Sequence, residues 1–296
     1  MKKKVITRIK GGLGNQLFCY AAARHLALIT NAELVIDHIS GFSRDKTYRR
    51  QYALNRFNIH GRNATAWERL EPFERYRRGF SKLLSSKLPY EQRQYIEEDK
   101  LGYDETILKL RLNNEITYLD GLWQSELYFK EIESIIREDC RIKIPCDAVN
   151  QEMAKRIVSC NSIALHVRWF DTSGTSSQNV GIDYYRKAID LIRRKVNAPH
   201  FFVFSDNPNA AMKKLDLDKS EFTIVQHNKG EESAFADMWL MQQCRHFIVA
   251  NSTFSWWGAW LGESASQSLV LAPSMDRYAS SSWDYSSLVP SRWELI

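Results

Sequence analysis

Three stretches of this chain put small or polar residues where an anion can be held. Asn251-Ser252-Thr253-Phe254-Ser255-Trp256-Trp257-Gly258 follows an apolar run, Phe247 to Ala250. A strand ending there and a helix beginning there would aim backbone N–H groups and the positive end of a helix dipole at one point, a natural phosphate cradle. Gly11-Gly12-Leu13-Gly14-Asn15-Gln16 lies between another apolar run and a helical pattern, and its glycines let the backbone approach a ligand closely. His166-Val167-Arg168 ends a third apolar run. Strand alternation sends His166 and Arg168 to one side, and an arginine there can clamp two phosphate oxygens with its planar fork. Ser205-Asp206-Asn207-Pro208 ends the next run; Asp206 reads either as a helix cap or as an acceptor for the paired N–H edge of guanine. Each stretch also has a plainer reading: a packing turn, or a capped helix whose tryptophans fill the core. What favours a site is that several strands end in the same way.

Other chemistries have weaker support. There is no His-Glu-x-x-His and no Cys/His cluster, so no metal and no cofactor are expected. Asp216-Leu217-Asp218 is literally Asp-x-Asp, but it sits in the charged connector Lys213–Lys219 rather than after an apolar strand. No Gly-x-Ser-x-Gly elbow occurs, which argues against an α/β hydrolase. Asp37, at the end of the second apolar run, keeps a ribose ligand and a nicotinamide dehydrogenase open. Leu17, however, stands where the dinucleotide fingerprint needs its third glycine.

The elements that must carry these residues are legible as an alternation. Lys4–Ile9 reads as a strand, Asn15–Ile29 as a helix with Leu17, Ala21 and Leu28 on one apolar face, and Glu33–Ile36 as a second strand. Residues 40–115 read as helical and basic without clear strands, and Ile116–Leu119 returns to the sheet before Gly121-Leu122-Trp123-Gln124-Ser125. After residue 150 the strand candidates are Ser162–Val167, His200–Phe204, Phe222–Val225, Phe247–Ala250 and Ser268–Leu271. The amphipathic stretches Asp183–Val196, Pro208–Leu215 and Glu232–Cys244 lie between them. This is the pattern of a doubly wound parallel sheet. The expected division is a Rossmann-like domain over 1–148 with a basic helical insertion, and a second over 149–296, joined near Pro145.

At 296 residues, with 44% hydrophobic and 26% charged residues, the composition is that of a globular protein of about two domains. No apolar run reaches the roughly 20 residues of a membrane span, and the basic start Lys2-Lys3-Lys4 is not followed by a signal-peptide core. Five cysteines without a Cys-x-x-Cys pair fit reduced thiols and a cytoplasmic location. The net charge of +6 is uneven: residues 44–93 hold 13 Lys or Arg against 5 Asp or Glu, which leaves the remainder slightly acidic. Such a patch suits an anionic or lipid-linked substrate, or weak peripheral contact with an anionic membrane. Nucleic acid is not expected, because no zinc-finger, RRM or basic-zipper pattern accompanies the charge.

The chain resembles glycosyltransferase family 11, the α-1,2-fucosyltransferases, and more distantly the α-1,6- and protein O-fucosyltransferases. The resemblance runs through Gly11–Phe18, Gly121–Ser125, His166–Arg168, Phe202–Asp206, Asp237–Met241 and Asn251–Leu261. It implies an α/β fold of GT-B type with two Rossmann-like domains facing a central cleft. It also implies GDP-β-L-fucose as donor, inversion at the anomeric carbon and no required metal. Carried over, Arg168 would hold the diphosphate, His166 would lie beside the nucleotide and Asp206 would face guanine. Asn251, Ser252, Thr253 and the Gly12–Asn15 turn, with Gly14, would line the phosphates. Arg168, Asp171 and Asn15 are the catalytic candidates, Asp171 as base. The family commonly has His-x-Arg-Arg-Gly-Asp; here Trp169 and Phe170 replace the second Arg and the Gly. Ser176 occupies the offset at which the α-1,6 enzymes carry a proposed glutamate base. The implied acceptor is a glycan hydroxyl, O2 of a β-galactoside, in surface polysaccharide synthesis. A non-catalytic nucleotide- or sugar-binding protein stands as the rival of another class.

Overall fold

The computed structural model describes residues 2–43, 45–46, 48–99, 102–168, 180–215, 217–264, 267–274 and 286–296. The chain forms two units, Met1–Arg141 with Ala279–Leu288, and Ile142–Tyr278 with Val289–Ile296.

The first unit is a five-stranded parallel sheet in the order β3-β2-β1-β5-β4. Its strands are β1 (Lys4–Arg8), β2 (Glu33–Asp37), β3 (Arg62–Asn63), β4 (Tyr95–Glu97) and β5 (Ile116–Asp120). Helix α1 (Leu13–Ile29) follows β1, α2 (Glu74–Ser86) precedes β4, and α3 (Glu133–Asp139) closes the first segment of the unit. Two sequence expectations change here. Among the described residues, 40–115 contain β3 and β4 and a single α-helix rather than a helical insertion. Both strands are too short to show a period; they form because the exposed edges of β2 and β5 recruit them, as when Ala64 N donates to Ile36 O at 2.9 Å. Helix α1, moreover, is not amphipathic. Residues 16–23 are all buried, His25 included, and Leu28, assigned to the apolar face, is exposed.

The second unit is a six-stranded parallel sheet in the order β11-β10-β9-β6-β7-β8. Its strands are β6 (Asn161–Val167), β7 (Pro199–Ser205), β8 (Phe222–Val225), β9 (His246–Ile248), β10 (Val270–Ala272) and β11 (Glu294–Leu295). The helices are α4 (Ala148–Val158), α5 (Ile182–Lys195), α6 (Pro208–Lys214), α7 (Ala234–Met241) and α8 (Thr253–Gly262). Ile163, Leu165, Phe201, Val203 and Ile248 from the strands pack on Tyr185, Ala188, Ile189 and Ile192 of α5. Burial of both strand faces is why these segments read as continuous apolar runs. Strand β9 stops two residues earlier than its apolar run. Val249 and Ala250 remain buried, and Tyr184 Oη donates to Val249 O (2.6 Å) and Leu271 O (2.9 Å), tying the ends of β9 and β10 together.

Candidate functional site

In the second unit β9, β6 and β7 are adjacent and parallel, so their carboxyl ends lie side by side. That edge is where an open α/β sheet binds ligands. His166 is the penultimate residue of β6, Arg168 and Asp206 directly follow β6 and β7, and Asn251 and Ser252 join β9 to α8. The register pairs Val167 with Ser205, which sets Arg168 level with Asp206. Their side chains form an ion pair, Nη1 to Oδ2 at 2.7 Å, with both groups partly exposed.

His166 lies behind this pair, buried against the ring of Phe254 with centroids 5.6 Å apart. Burial, and after it the charge of Arg168, lowers its pKa from 6.5 to about 3. The imidazole is therefore neutral at working pH and offers a hydrogen bond rather than a charge. Its Nδ1 is buried without a hydrogen-bond partner among the described residues. A buried polar atom left in that state costs free energy.

Helix α8 begins at Thr253 without an acidic residue in its first turn, and Ser252, its N-cap, makes no side-chain cap hydrogen bond. The turn is stapled internally instead: Ser255 Oγ accepts from Ala250 N and donates to Ser252 O, both at 3.2 Å. The dipole of this start is thus not answered by an acid of its own first turn. The tryptophans behind it are core. Trp256, Trp257 and Trp260 are buried, Trp256 stacks on Trp260, and Trp293 joins them at 5.5 Å from Trp256.

In the first unit Gly11 has φ +77° and Gly12 is the N-cap of α1. Gly14 is the second residue of that helix and buried. Sequence reasoning did not find Arg50, whose Nε would lie 3.5 Å from a Cβ at Gly12. This guanidinium sits over the helix start, packs on the Tyr48 ring at 4.2 Å and has a buried Nε without a hydrogen bond among the described residues. Gln16 holds it there, donating to Gly11 O (3.0 Å) and Gln51 O (2.9 Å) and accepting from Ala53 N (2.9 Å). The 33 residues between Gln16 and Arg50 hide this contact from any local pattern. Asn15 Oδ1 accepts from Gln124 Nε2 at 2.9 Å, so two motifs read separately in the sequence meet.

Asp37 is not a ribose ligand. It is fully buried, and its carboxylate accepts from Ser40 N (3.0 Å), Ser40 Oγ and Tyr118 Oη, which removes the residue a dinucleotide reading needs. Asp120 is likewise internal. It takes Lys10 Nζ (2.8 Å), Arg8 Nη1 (3.2 Å) and Tyr95 Oη. Burial alone would raise its pKa, but Lys10 and Arg8 hold it well below the carboxylate range. The basic stretch is only partly a solvated surface. Arg78 is buried, its Nη2 donating to Ser40 Oγ at 2.9 Å and lying 4.0 Å from Asp37.

Asp218 of the Asp-x-Asp sequence accepts from Ser220 N (3.0 Å) and Ser220 Oγ (2.9 Å), which makes it a turn former. Among the described residues no three His, Cys, Asp or Glu side chains come close enough to hold a metal, and no helix is long and apolar enough to cross a membrane. Asp171, Trp169, Phe170, Ser176 and Asp216 lie outside the described residues.

The chain is similar to known proteins along most of its length. The model of the family described as Glycosyl transferase family 11 matches residues 4–284. An alpha-1,2-colitosyltransferase of Escherichia coli is 30% identical over 267 residues, 87% of this chain and 87% of that protein. The O-antigen biosynthesis glycosyltransferase WbnK of Escherichia coli is 30% identical over 279 residues, 86% of this chain and 88% of that one. Among solved structures, NodZ alpha-1,6-fucosyltransferase soaked with GDP-fucose superposes with a TM-score of 0.51 at 18% identity, covering 88% of this chain and 93% of that chain. That likeness carries the fold, a GT-B-type α/β architecture, and the match of sequence carries the family: the chain belongs to glycosyl transferase family 11 and is a glycosyltransferase.

Proposed function

We propose that this protein is an inverting, metal-independent fucosyltransferase. It moves L-fucose from GDP-β-L-fucose to a glycan hydroxyl, O2 of a β-galactoside, in the assembly of surface polysaccharide. The observation that carries the reading is the convergence of His166, Arg168, Asp206 and the start of α8 at three adjacent strand ends. The second unit binds the donor and the first serves the acceptor. As the glycosidic bond breaks, the electron pair goes to the leaving diphosphate, and Arg168 with the N–H groups at Thr253 answers the new charge. Removing one preorganised donor of this kind costs roughly 3–4 kcal/mol of barrier.

The ion pair refines the roles. A guanidinium has five N–H donors, so Asp206 orients Arg168 through Nη1 while the fork turns toward phosphate. For Asp206 to reach the guanine edge instead, that pair must open. His166, neutral, donates to or accepts from the nucleotide. Asn251 and Ser252 line the phosphates beside Thr253. The proton of the attacking hydroxyl goes to Asp171 as base. In the first unit Gly12, Gly14 and Asn15, with Arg50 over them, form a second anion-tolerant turn.

The colitosyltransferase relative supports one further reading, a donor sugar lacking the 3-hydroxyl of fucose. A site that hydrogen-bonds that hydroxyl discriminates by about 10⁴ or more against the sugar without it. Assaying GDP-fucose and its 3-deoxy counterpart with β-galactoside acceptors in EDTA, and reading the product linkage by NMR, tests all of this. An α-1,2-fucosylated product formed in EDTA is the expected result. Activity only after Mn²⁺ addition overturns metal independence, and absence of transfer and of GDP release from both donors leaves a binding protein.

A further inference from the structure

Helix α2 is docked the wrong way round for a helix of a globular protein. A surface helix normally buries its apolar stripe. Here Arg78 and Ser85 are the buried side chains. Arg78 reaches Ser40, Ser85 Oγ accepts from Tyr95 N of β4 at 3.0 Å, and Lys82 pairs with Glu97 and lies 3.7 Å from Asp120. These positions recur on one face of the helix. The opposite face carries Tyr76, Phe80, Leu83 and Leu84, with Phe73 leading into it. All of them are exposed, Phe73 and Tyr76 by 75% and Phe80 by 62%. Spacings of three, four and seven put these side chains in one stripe. Phe73 is held at φ +66°, a conformation costly for a bulky residue, and it still points its ring to solvent. Beside the stripe, Trp67 is also exposed and stacks under Arg77 at 4.1 Å.

A contiguous apolar strip on a monomer marks a binding surface, and its rim says what kind. From Phe73 to Leu88 the exposed charged residues are Arg75 and Lys87, both basic. Glu74 is half-buried, within 3.4 Å of Ser43. Aromatic and leucine side chains on one face with cations flanking them are the composition of a helix that lies in the plane of an anionic bilayer.

We infer that α2 is a membrane-docking helix which inserts Phe73, Tyr76, Phe80, Leu83 and Leu84 between the headgroups of an anionic bilayer while Arg75 and Lys87 contact lipid phosphates. The polar contacts of its other face keep the helix fixed to the sheet, so docking needs no refolding. This inference does not rest on the donor assignment, and either can fail without the other.

The test is co-sedimentation of the full chain with vesicles of phosphatidylcholine alone or mixed with phosphatidylglycerol, at low and at high salt. Binding to the anionic vesicles is expected, with a residue that survives high salt because insertion is not screened. Phe80→Ser/Leu83→Ser/Leu84→Ser should weaken that binding at least about tenfold with an unchanged melting temperature, since all three side chains are exposed. Phe80→Leu/Leu83→Phe should bind as the parent does. Failure of the parent to bind either vesicle overturns the inference, as does undiminished binding by the triple variant. A dimer in analytical ultracentrifugation that the triple variant dissociates, with no vesicle binding, would assign the face to a second copy instead.

Discussion

The strand ends of the two units contrast in how their carboxylates are held. In the first unit Asp37 and Asp120 are buried and saturated, ringed by Arg8, Lys10, Arg78, Lys82, Ser40, Tyr95 and Tyr118. In the second, His166 Nδ1 has no partner among the described residues, the N-cap Ser252 makes no side-chain cap hydrogen bond, and the Arg168–Asp206 pair is partly open to water. A buried ionic cluster fixes geometry, whereas a partly exposed pair is screened by water and is easier to open. The carboxylates at the sheet edge thus do structural work in the first unit, whereas Asp206 at the same edge of the second stays partly exposed.

Cutting one carboxylate from each unit tests that difference most severely. Asp120→Ala leaves Arg8 and Lys10 facing a buried space without their counter-charge, and should cost roughly 3–5 kcal/mol of stability in urea unfolding. Asp206→Ala removes half of a pair whose side chains are 26% and 32% exposed, and should cost under about 1 kcal/mol. Equal losses from the two would erase the distinction.

Next in size is Arg168→Lys. It keeps the charge and loses the planar fork, so kcat/KM should fall at least about tenfold, close to 1.4 kcal/mol of transition-state binding, at an unchanged melting temperature. A variant with more than about a third of parental kcat/KM would show that the fork is not what this position supplies.

Much of this was readable in advance, for definable reasons. The strands that bury both faces, such as β6 and β7, announce themselves as apolar runs with punctuation at their ends, and His166, Arg168 and Asp206 stand at that punctuation. What could not be read depends on distance along the chain or on a choice between faces. Arg50 reaches Gly12 only because Gln16 bridges to Gln51 and Ala53. The amphipathic pattern of α2 shows which residues share a face and says nothing of which face docks; the buried aspartates of the sheet decide that by drawing in Arg78 and Lys82. Asp37 looked like a ligand residue because a carboxylate at a strand end has the same sequence whether Tyr118 and Ser40 fill it or not.

The pH dependence of stability carries two opposed contributions from the second unit. Asp237 accepts from Asn228 Nδ2 at 2.8 Å, and burial raises its pKa from 3.8 to about 7. The folded state keeps this proton where the unfolded chain has lost it, so stability falls as pH rises from about 4 to about 7. His166, lowered to about 3, has the other sign: the unfolded chain gains a proton below its ordinary 6.5, and stability falls as pH drops from there. The two slopes offset each other over their shared range. Asp237→Asn keeps an acceptor for Asn228 and removes one of them, so the melting temperature should rise above pH 7 by a few degrees, about 1 kcal/mol or more. The acid-side decline should then become visible. A variant with the parental pH profile would mean that Asp237 is ionised in the folded protein.

The smallest expected change in stability is also the one that sharpens the contrast between the helix starts. Adjacent glycines open α1, but they differ in what an added methyl meets. At Gly11 a Cβ would lie 2.8 Å from Asn15 Nδ2 on a backbone at φ +77°, so Gly11→Ala should cost about 1–2 kcal/mol. At Gly12 the nearest atom is Arg50 Nε at 3.5 Å, ordinary contact, and φ is −72°, which any residue adopts. Gly12→Ala should therefore leave stability within about 0.5 kcal/mol. Its effect on turnover then separates two explanations of the missing side chain. If kcat/KM falls several-fold while stability holds, the methyl occupies space that a ligand needs beside Arg50, and the turn of the first unit shares in binding. If neither changes, Gly12 serves only the local geometry of α1.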